Sequence, residues 1–288
     1  MRIAYLGPMG TFSEEAALAQ SRRDGSEPMP FASIPALVSA VETGLAERAI
    51  LPIENSLEGS VSATLDLLIH ETSLKILAEL VVAVRHNLVA VPGTELRDIS
   101  VVLTHPQVPG QVRRFLDRCL PNVTQVAALS TAAAVEEVVR GGDRSRAAIG
   151  TTRAAELFGG EILARDIQDN RGNVTRFFVL GREDAAPTGN DLTSFCFRVK
   201  ANVPGALYEV LAELAEANIQ MTKVESRPTK SGLGDYFFLV DIEGHRLDPA
   251  IAAALGRIRE KTALLKIFGS YPHSVNGTNG TVDAGDQW

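Results

Sequence analysis

The sequence predicts an α/β protein: two lobes of mostly parallel sheet, followed by a smaller βαββαβ unit. Three observations carry this. Short apolar runs alternate with amphipathic stretches along the first 181 of the 288 residues. Most of these runs end in a polar or glycine-containing turn that leads into a helix start. A polar segment, 182–193, with Pro187 and Gly189, then separates this pattern from a second, shorter one.

Composition bounds the function. The chain is 45% hydrophobic and 22% charged, ordinary for a globular protein with room for two domains. A net charge of −7 argues against a nucleic-acid partner but leaves room for a local basic patch that binds a small acid. Cys119 and Cys196 sit in no metal or redox spacing, so both are expected as buried thiols in a reducing compartment. No apolar run approaches the ~20 residues of a membrane span. The N-terminal run is strand-length, so no membrane association and a cytoplasmic setting are expected.

Residues 2–6 read as the first strand. Gly7-Pro8-Met9-Gly10 turns the chain, and Thr11-Phe12-Ser13-Glu14 matches a capping box opening a helix through Gln20. A strand, a glycine turn and a helix start make a seat for an anion, though the stretch carries no nucleotide fingerprint. Ser33 caps a helix, and 49–53 form the next strand. Glu54, Asn55 and Ser56 follow directly, at a strand's carboxyl end, where open α/β sheets bind ligands. The next helix bears His70 near its end, a position with no expected chemical role. Residues 74–91 are extended with a break near Arg85-His86-Asn87, which suggests a crossing between lobes. Strand 101–104 ends in His105-Pro106-Gln107, and strand 123–127 leads to Ser130-Thr131 and an Ala-rich helix. Read singly, His105 is a turn residue and Ser130-Thr131 a helix cap; their shared strand-end position is what makes them site candidates. A strand at 147–149, a helix from Gly150-Thr151-Thr152 and the run 162–167 complete the lobe.

The stretch Asn173-Val174-Thr175-Arg176-Phe177 stands where a loop enters a strand. It offers an amide, a hydroxyl and a guanidinium in four residues, suited to binding a carboxylate. Beyond the linker, a strand from Ser194, a helix from Pro204-Gly205-Ala206, strands at 219–227 and 236–242, a helix capped by Asp248 and a strand at 263–268 give the order βαββαβ, a ferredoxin-like unit. A turn is expected at 231–234. Residues 271–288, rich in Gly, Asn and Asp, are expected to be disordered.

Taken together, these stretches resemble the prephenate dehydratases that carry a C-terminal ACT regulatory domain. The matching motifs are Gly7-Pro8-Met9-Gly10-Thr11-Phe12-Ser13, Pro52-Ile53-Glu54-Asn55-Ser56, Thr104-His105-Pro106-Gln107, Ser130-Thr131-Ala132 and Asn173-Val174-Thr175-Arg176-Phe177. In the second unit they are Pro204-Gly205-Ala206-Leu207 and Glu225-Ser226-Arg227-Pro228. One departure is Phe158-Gly159-Gly160, where the family usually carries an aromatic residue, Gly and Leu; altered helix-end packing is expected, not lost activity. No chorismate mutase segment is read in the sequence, so the resemblance is to the monofunctional form.

The resemblance implies a periplasmic-binding-protein-like catalytic domain of two lobes at 1–181 and an ACT domain at 194–270. It implies the conversion of prephenate to phenylpyruvate, water and carbon dioxide, with no cofactor and no metal. Thr175 is the implied proton donor, with Glu54 and Asn55 as further catalytic residues. Ser56, Thr11, His105, Gln107, Ser130, Thr131, Asn173, Arg176 and Phe177 are the implied substrate contacts. Arg176 and the helix starts at Thr11 and Ser130 are the candidates for holding the pyruvyl carboxylate. L-Phenylalanine is the implied effector, bound at a paired ACT interface by Asn202, Pro204, Gly205, Ala206 and Leu207 of one copy and Glu225, Ser226, Arg227 and Pro228 of another. Self-association as a dimer or tetramer follows from that pairing. A dehydratase acting on arogenate is the nearest alternative, and a non-catalytic amino-acid sensor a more distant one.

Overall fold

The computed structural model describes residues 1–230, 234–274 and 281–282. In chain order the elements are β1 (Arg2–Leu6), α1 (Phe12–Asp24), β2 (Glu27–Phe31), α2 (Ile34–Glu42), β3 (Arg48–Asn55), β4 (Gly59–Ser60) and α3 (Ser62–His70). They continue through β5 (Lys75–Ala83), β6 (Asn87–Ala90), β7 (Val101–Thr104), α4 (Val108–Gln111), α5 (Arg113–Cys119), β8 (Thr124–Ala127), α6 (Thr131–Gly141), β9 (Arg146–Gly150), α7 (Thr152–Phe158), β10 (Glu161–Ala164) and β11 (Val174–Gly181). The remainder is β12 (Asp191–Val199), α8 (Ala206–Glu216), β13 (Met221–Pro228), β14 (Tyr236–Glu243), α9 (Pro249–Lys261), β15 (Thr262–Pro272) and the short β16 (Thr281–Val282).

Two compact units result. One holds Met1–Val61 and Leu80–Phe177, and the other holds Ser62–Glu79 with the described part of Phe178–Asn279. The chain passes from one to the other at the start of α3, inside β5 and inside β11.

The first unit carries two sheets. One has the order β16-β5-β11-β3-β1-β2, with β4 paired to β3. In it β1 runs parallel to both β2 and β3. The other has the order β10-β6-β9-β7-β8. Its β7 is parallel to β8 and β9, whereas β6 and β10 join antiparallel. Strand residues of this second sheet feed two cores. Leu88, Val102 and Ile149 pack with Val112 and Leu116, and Val89, Leu103 and Ala148 pack with Val135, Val138 and Ala154. Burial on both faces explains why these strands read as unbroken apolar runs. The expected crossing at 74–91 is β5 in the first sheet and β6 in the second.

Helix ends follow local chemistry. Thr11, Ser33, Ser130 and Thr151 each accept a backbone N–H three residues on, and Gly25, Gly142 and Gly159 end their helices left-handed. Strand β2 escaped the sequence reading because Pro28 and Pro30 argue against a strand. It ends the sheet path and, among the described residues, pairs only with β1, a position that tolerates missing N–H groups.

The second unit is β12-α8-β13-β14-α9-β15 around a four-stranded antiparallel sheet of order β13-β14-β12-β15. Phe195, Phe197, Val240 and Ile242 meet Val210 and Leu214 of α8 and Ile251, Leu255 and Ile258 of α9.

Several expectations shift. Strand β12 starts at Asp191, whose buried carboxylate accepts from the N–H groups of Thr188 and Gly189 and so closes the preceding turn. Strand β15 runs to Pro272, so residues 271 and 272 belong to the sheet and not to a tail. Tyr271 is fully buried, and its hydroxyl lies 2.6 Å from Ser194 Oγ. Of the residues expected to be disordered, 275–280 and 283–288 lie outside the described residues, while 281–282 pair with β5. The expected turn at 231–234 also falls outside them, apart from Gly234. Cys196 is buried, and burial pushes its thiol up to about 12. Cys119 is exposed instead, because Leu116 and Leu120, four apart, take the inward face at the end of α5. Among the described residues no helix is long and apolar enough to cross a membrane.

Candidate active site

Strand β3 ends at Asn55, and its neighbour in the sheet is β11. The Asn55 Oδ1 accepts from the backbone N–H of Leu57 (3.0 Å) and of Glu58 (3.1 Å). This closes an Asx-type turn after the strand. Backbone N–H groups can only donate, so the oxygen of the Asn55 amide is fixed. Its Nδ2 must then face β11. It lies 2.9 Å from Asn173 Oδ1, 3.1 Å from the Val174 carbonyl and 3.0 Å from Thr175 Oγ1. Thr175 therefore accepts from Asn55 and keeps its own O–H for another partner.

The orientation propagates. Asn173 Oδ1 is an acceptor, so its Nδ2 donates, to Gln111 Oε1 at 2.9 Å. Gln111 Nε2 donates in turn to the Glu58 carboxylate at 3.2 Å. Ser56 ties the turn to β11: its N–H donates to the Val174 carbonyl, and its Oγ accepts the Val174 N–H at 3.1 Å. The Ser56 hydroxyl is thus occupied by backbone and extends the sheet, although sequence read it as a substrate contact.

Strand alternation divides the polar residues. Asn55 pairs with Thr175, while Glu54 lies 4.0 Å from Arg176 Nη1. Successive strand side chains point to opposite faces, so these are two pairs, adjacent at the start of β11. Phe177 is 1% exposed and belongs to the core beneath Thr175, not to a surface a substrate could touch.

The other sequence-derived candidates form a second neighbourhood around the Gly10 turn. Gly10 has φ +85, and a Cβ there would sit 3.0 Å from the Cβ of Ala154 and 3.2 Å from that of Ala132. No other residue fits so close to α6 and α7. Thr151 Oγ1 donates to the Gly10 carbonyl at 2.6 Å. The turn after β1 is thereby held against the turn between β9 and α7. Glu14 Oε2 accepts the Gly10 N–H at 2.6 Å and lies 3.4 Å from Arg153 Nε. The expected capping box is thus displaced by one residue: Thr11 caps Glu14, but the Glu14 carboxylate reaches Gly10 rather than Thr11. The anion seat expected there already holds a carboxylate of the chain itself. Thr11 Oγ1 also donates to the Pro8 carbonyl, and Ser130 Oγ accepts from Ala133 N–H. His105 Nδ1 faces the N–H of the exposed Gln107 at 3.4 Å. Thr11, His105 and Ser130 spend these hydrogen bonds locally, outside the Asn55–Thr175 network, and Gln107 joins them through its backbone N–H.

Two residues were missed by sequence reasoning. Gln111 lies four residues after Gln107, at the end of α4, and that repeat was the available signal. His86 sits in the break between β5 and β6, is 2% exposed, and places Nε2 3.0 Å from Gln111 Oε1. Its ring stands edge-on to Phe12, with centroids 5.7 Å apart. Burial lowers its pKa, against the opposing pull of the Gln111 hydrogen bond.

In the second unit, Asn202, Pro204 and Gly205 are exposed, and Gly205 caps α8 with φ +89. Leu207 packs against the unit's own core. Asn202 Nδ2 donates to the Gly234 carbonyl at 2.7 Å. Along the edge strand β13, Ser226 and Pro228 face outward, while Glu225 and Arg227 are half-buried. Arg227 reaches Asp66 at 3.2 Å and Ser62 at 3.3 Å on α3. A cavity of about 840 Å³, lined by Leu214, Asn218, Met221, Gly244 and Ile251, includes none of these residues. Among the described residues no cluster of His, Cys, Asp or Glu could hold a metal ion.

Known proteins share both parts of the chain. The prephenate dehydratase family model matches residues 3–185, and the ACT domain model matches residues 196–260. The chain is 40% identical over 275 residues to the bifunctional chorismate mutase/prephenate dehydratase of Neisseria gonorrhoeae, covering 96% of this chain and 75% of that protein. It is 40% identical over 285 residues to the prephenate dehydratase of Mycolicibacterium vanbaalenii, covering 94% of this chain and 90% of that one. Among solved structures, the prephenate dehydratase of Arthrobacter aurescens in complex with L-Phe superposes with a TM-score of 0.88 at 36% identity, over 95% of this chain and 90% of that chain. GqqA, described as a novel type of quorum quenching acylase, superposes with a TM-score of 0.85 at 35% identity, over 96% of this chain and 99% of that chain.

Proposed function

The chain belongs to the prephenate dehydratase family, and from that premise we propose that Thr175, oriented by Asn55, is the proton donor of its reaction. Prephenate loses its ring carboxylate as carbon dioxide and its ring hydroxyl as water. The electrons of the breaking C–C bond enter the ring, and the C–O bond breaks with one proton delivered to the departing oxygen. Hydroxide is a poor leaving group, so the proton is needed as the bond breaks. The observation that carries the assignment is the 3.0 Å contact from Asn55 Nδ2 to Thr175 Oγ1. A donor fixed on that oxygen stabilises the negative charge that grows there as the proton leaves. Thr175 regains a proton from water after the product departs.

Arg176 and the N–H groups at the start of α6, beside Ser130 and Thr131, are the groups that would take the substrate's carboxylates. Glu54 positions Arg176, the buried Asn173 acts through Asn55, and Gln107 and His105 complete the polar rim. The start of α1 at Thr11 contributes its turn rather than an open anion seat. The described residues of the Asn55–Thr175 network include no hydroxyl or thiol hydrogen-bonded to a histidine, so their geometry favours dehydration over acyl transfer.

Thr175→Ala should lower kcat by roughly 10²–10⁴-fold with KM little changed. Thr175→Ser should keep partial activity, and Arg176→Lys should act chiefly on KM. Steady-state kinetics with prephenate and with arogenate, alongside melting temperatures, decide the matter and the substrate preference together. A folded Thr175→Ala protein with near-normal turnover would end the case for Thr175.

The ACT domain and the L-Phe complex of the Arthrobacter aurescens relative support feedback control by L-phenylalanine and a place in its biosynthesis, and a cytoplasmic setting is proposed with them. The effector site is proposed at a paired interface, with Asn202, Pro204, Gly205, Ala206 and Leu207 of one copy facing Glu225, Ser226, Arg227 and Pro228 of a second, in a dimer or tetramer. On this reading residues 1–181 are catalytic and 194–270 regulatory. Ser226 is exposed, so Ser226→Ala should leave turnover intact and weaken inhibition. Unchanged sensitivity to L-phenylalanine in that variant and in Gly205→Val would move the site elsewhere.

A further inference from the structure

We propose that His86 is a positioning residue for the proton donor: its Nε2–H fixes the Gln111 amide and, through Asn173 and Asn55, the Thr175 hydroxyl. This role rests on the dehydratase reading above.

Donors and acceptors can be assigned from both ends of the network. At one end, the N–H groups of Leu57 and Glu58 force the Asn55 oxygen to face them. At the other, the Glu58 carboxylate can only accept, so it forces the nitrogen of Gln111 to face it. Both ends assign the same orientations to the amides between them. Turning Gln111 over would set its nitrogen against Asn173 Nδ2 and its oxygen against the Glu58 carboxylate, two repulsive contacts for none gained. Gln111 Oε1 is therefore an acceptor, and the His86 Nε2 that lies 3.0 Å from it must carry the hydrogen. The other ring nitrogen, Nδ1, is buried with no hydrogen-bond partner among the described residues, as expected of the bare nitrogen of this tautomer.

The rest of the site holds the ring where it is. The His86 N–H donates to Gln168 Oε1 at 3.0 Å, the Ile167 N–H donates to the His86 carbonyl at 2.9 Å, and Phe12 of α1 closes its edge. Burial keeps the imidazole neutral, so it serves as a fixed dipole at the end of the relay and not as an acid. Without its hydrogen, Gln111 Oε1 keeps only the Asn173 bond, and the chain of amides loses the anchor that selects one arrangement.

The test compares His86→Met with His86→Gln, whose amide nitrogen can reach the Nε2 position. His86→Met should lower kcat about 10- to 100-fold with KM within about twofold, and His86→Gln should recover most of the loss. The same His86→Met change made in Thr175→Ala should cost little more, because both act on one proton transfer. A folded His86→Met protein with wild-type kcat, or an equal fold-loss in the Thr175→Ala background, would overturn the proposal. Nitrogen NMR of the wild-type imidazole gives a reading that needs no variant to fold. Hydrogen on Nε2 supports the assignment, and hydrogen on Nδ1 overturns it. Absence of prephenate turnover by the wild-type protein would instead strike at the dehydratase reading, and the tautomer would still be decided.

Discussion

At the residue scale, Asn55 shows how much one side chain can organise: its oxygen shapes the turn, and its nitrogen meets the Thr175 hydroxyl. Glu15, nearby in sequence to the Gly10 turn, shows the opposite case. It lies on α1 with Oε2 buried and without a hydrogen-bond partner among the described residues. Burial first, then the charges of Glu14 and Glu156, push its carboxyl up to about 7 from an ordinary 4.5. The folded state thus binds more protons than the unfolded one between those values, so stability falls as pH rises from about 4.5 through 7. Glu15→Gln removes the buried charge and should raise the melting temperature at pH 8, with the gap closing toward pH 5. A gap of equal size at both pH values would show that the carboxyl is not the cause. None of this was legible in the sequence, where Glu15 is one more helix-start acid. The Asn55, Asn173 and Thr175 motifs were legible because each is a local run of polar residues beside a strand. Gln111 and His86 were not, since their partners are distant in sequence; the repeat of Gln107 at Gln111 is a local signal that names no partner, and His86 has none.

At the scale of elements, α3 is held in its middle and at its C-terminal end. Asp66 in its middle takes Arg227 Nη2 at 3.2 Å and Lys230 Nζ at 2.7 Å. At its C-terminal end Lys266 Nζ donates to the carbonyls of Ile69 and Thr72, a cation where the helix dipole favours one. His70 there meets Phe237 edge-on at 5.3 Å. Against the upward push of burial, the Lys230 hydrogen bond and the Arg227 and Lys230 charges hold the Asp66 carboxyl below its usual range. That stabilisation is present above the unfolded value of 3.8 and is lost as pH falls through the lower folded value. Asp66→Ala should cost about 1–2 kcal/mol at neutral pH, discounted for solvent screening. Thermal melts at pH 7 and in strong acid check it; a difference that persists undiminished in acid would assign the loss to something other than the carboxylate. The alternation of strands and helices around α3 could be read from apolar runs bounded by turns. The Arg227 contact could not, because Glu225-Ser226-Arg227-Pro228 reads locally as an effector motif. Gly160 also makes sense only in three dimensions. A Cβ there would lie 2.5 Å from Val89 Cγ1, so the residue that departs from the family's usual Leu sits where this chain has no space for one.

For the whole molecule, the divisions drawn by family and by packing differ. The dehydratase family match runs from 3 to 185, yet Ser62–Glu79, inside it, packs with the unit that contains the ACT domain. Sequence reading placed the boundary at 182–193 because composition changes there, and composition carries no record of where an earlier helix docks. Ending the chain at Thr188 would strip α3 of Arg227, Lys230, Phe237 and Lys266 together. The shortened protein should melt roughly 10 °C lower than the full chain, by circular dichroism. Equal melting temperatures would mean that α3 does not depend on those partners.

The place of β11 in its sheet, between β3 and β5, has a consequence in time. A ribosome making this chain releases β3 and β5 early and β11 much later. At about 5–20 residues per second, roughly 5–20 s pass between Ala83 and Val174. Through that interval two neighbouring strands each present an unpaired edge, the surface that recruits wrong partners. Thr175 arrives on the same strand that closes the gap. Turnover by nascent chains released at successive lengths should therefore begin only after β11 has emerged, with no weakly active forms before it.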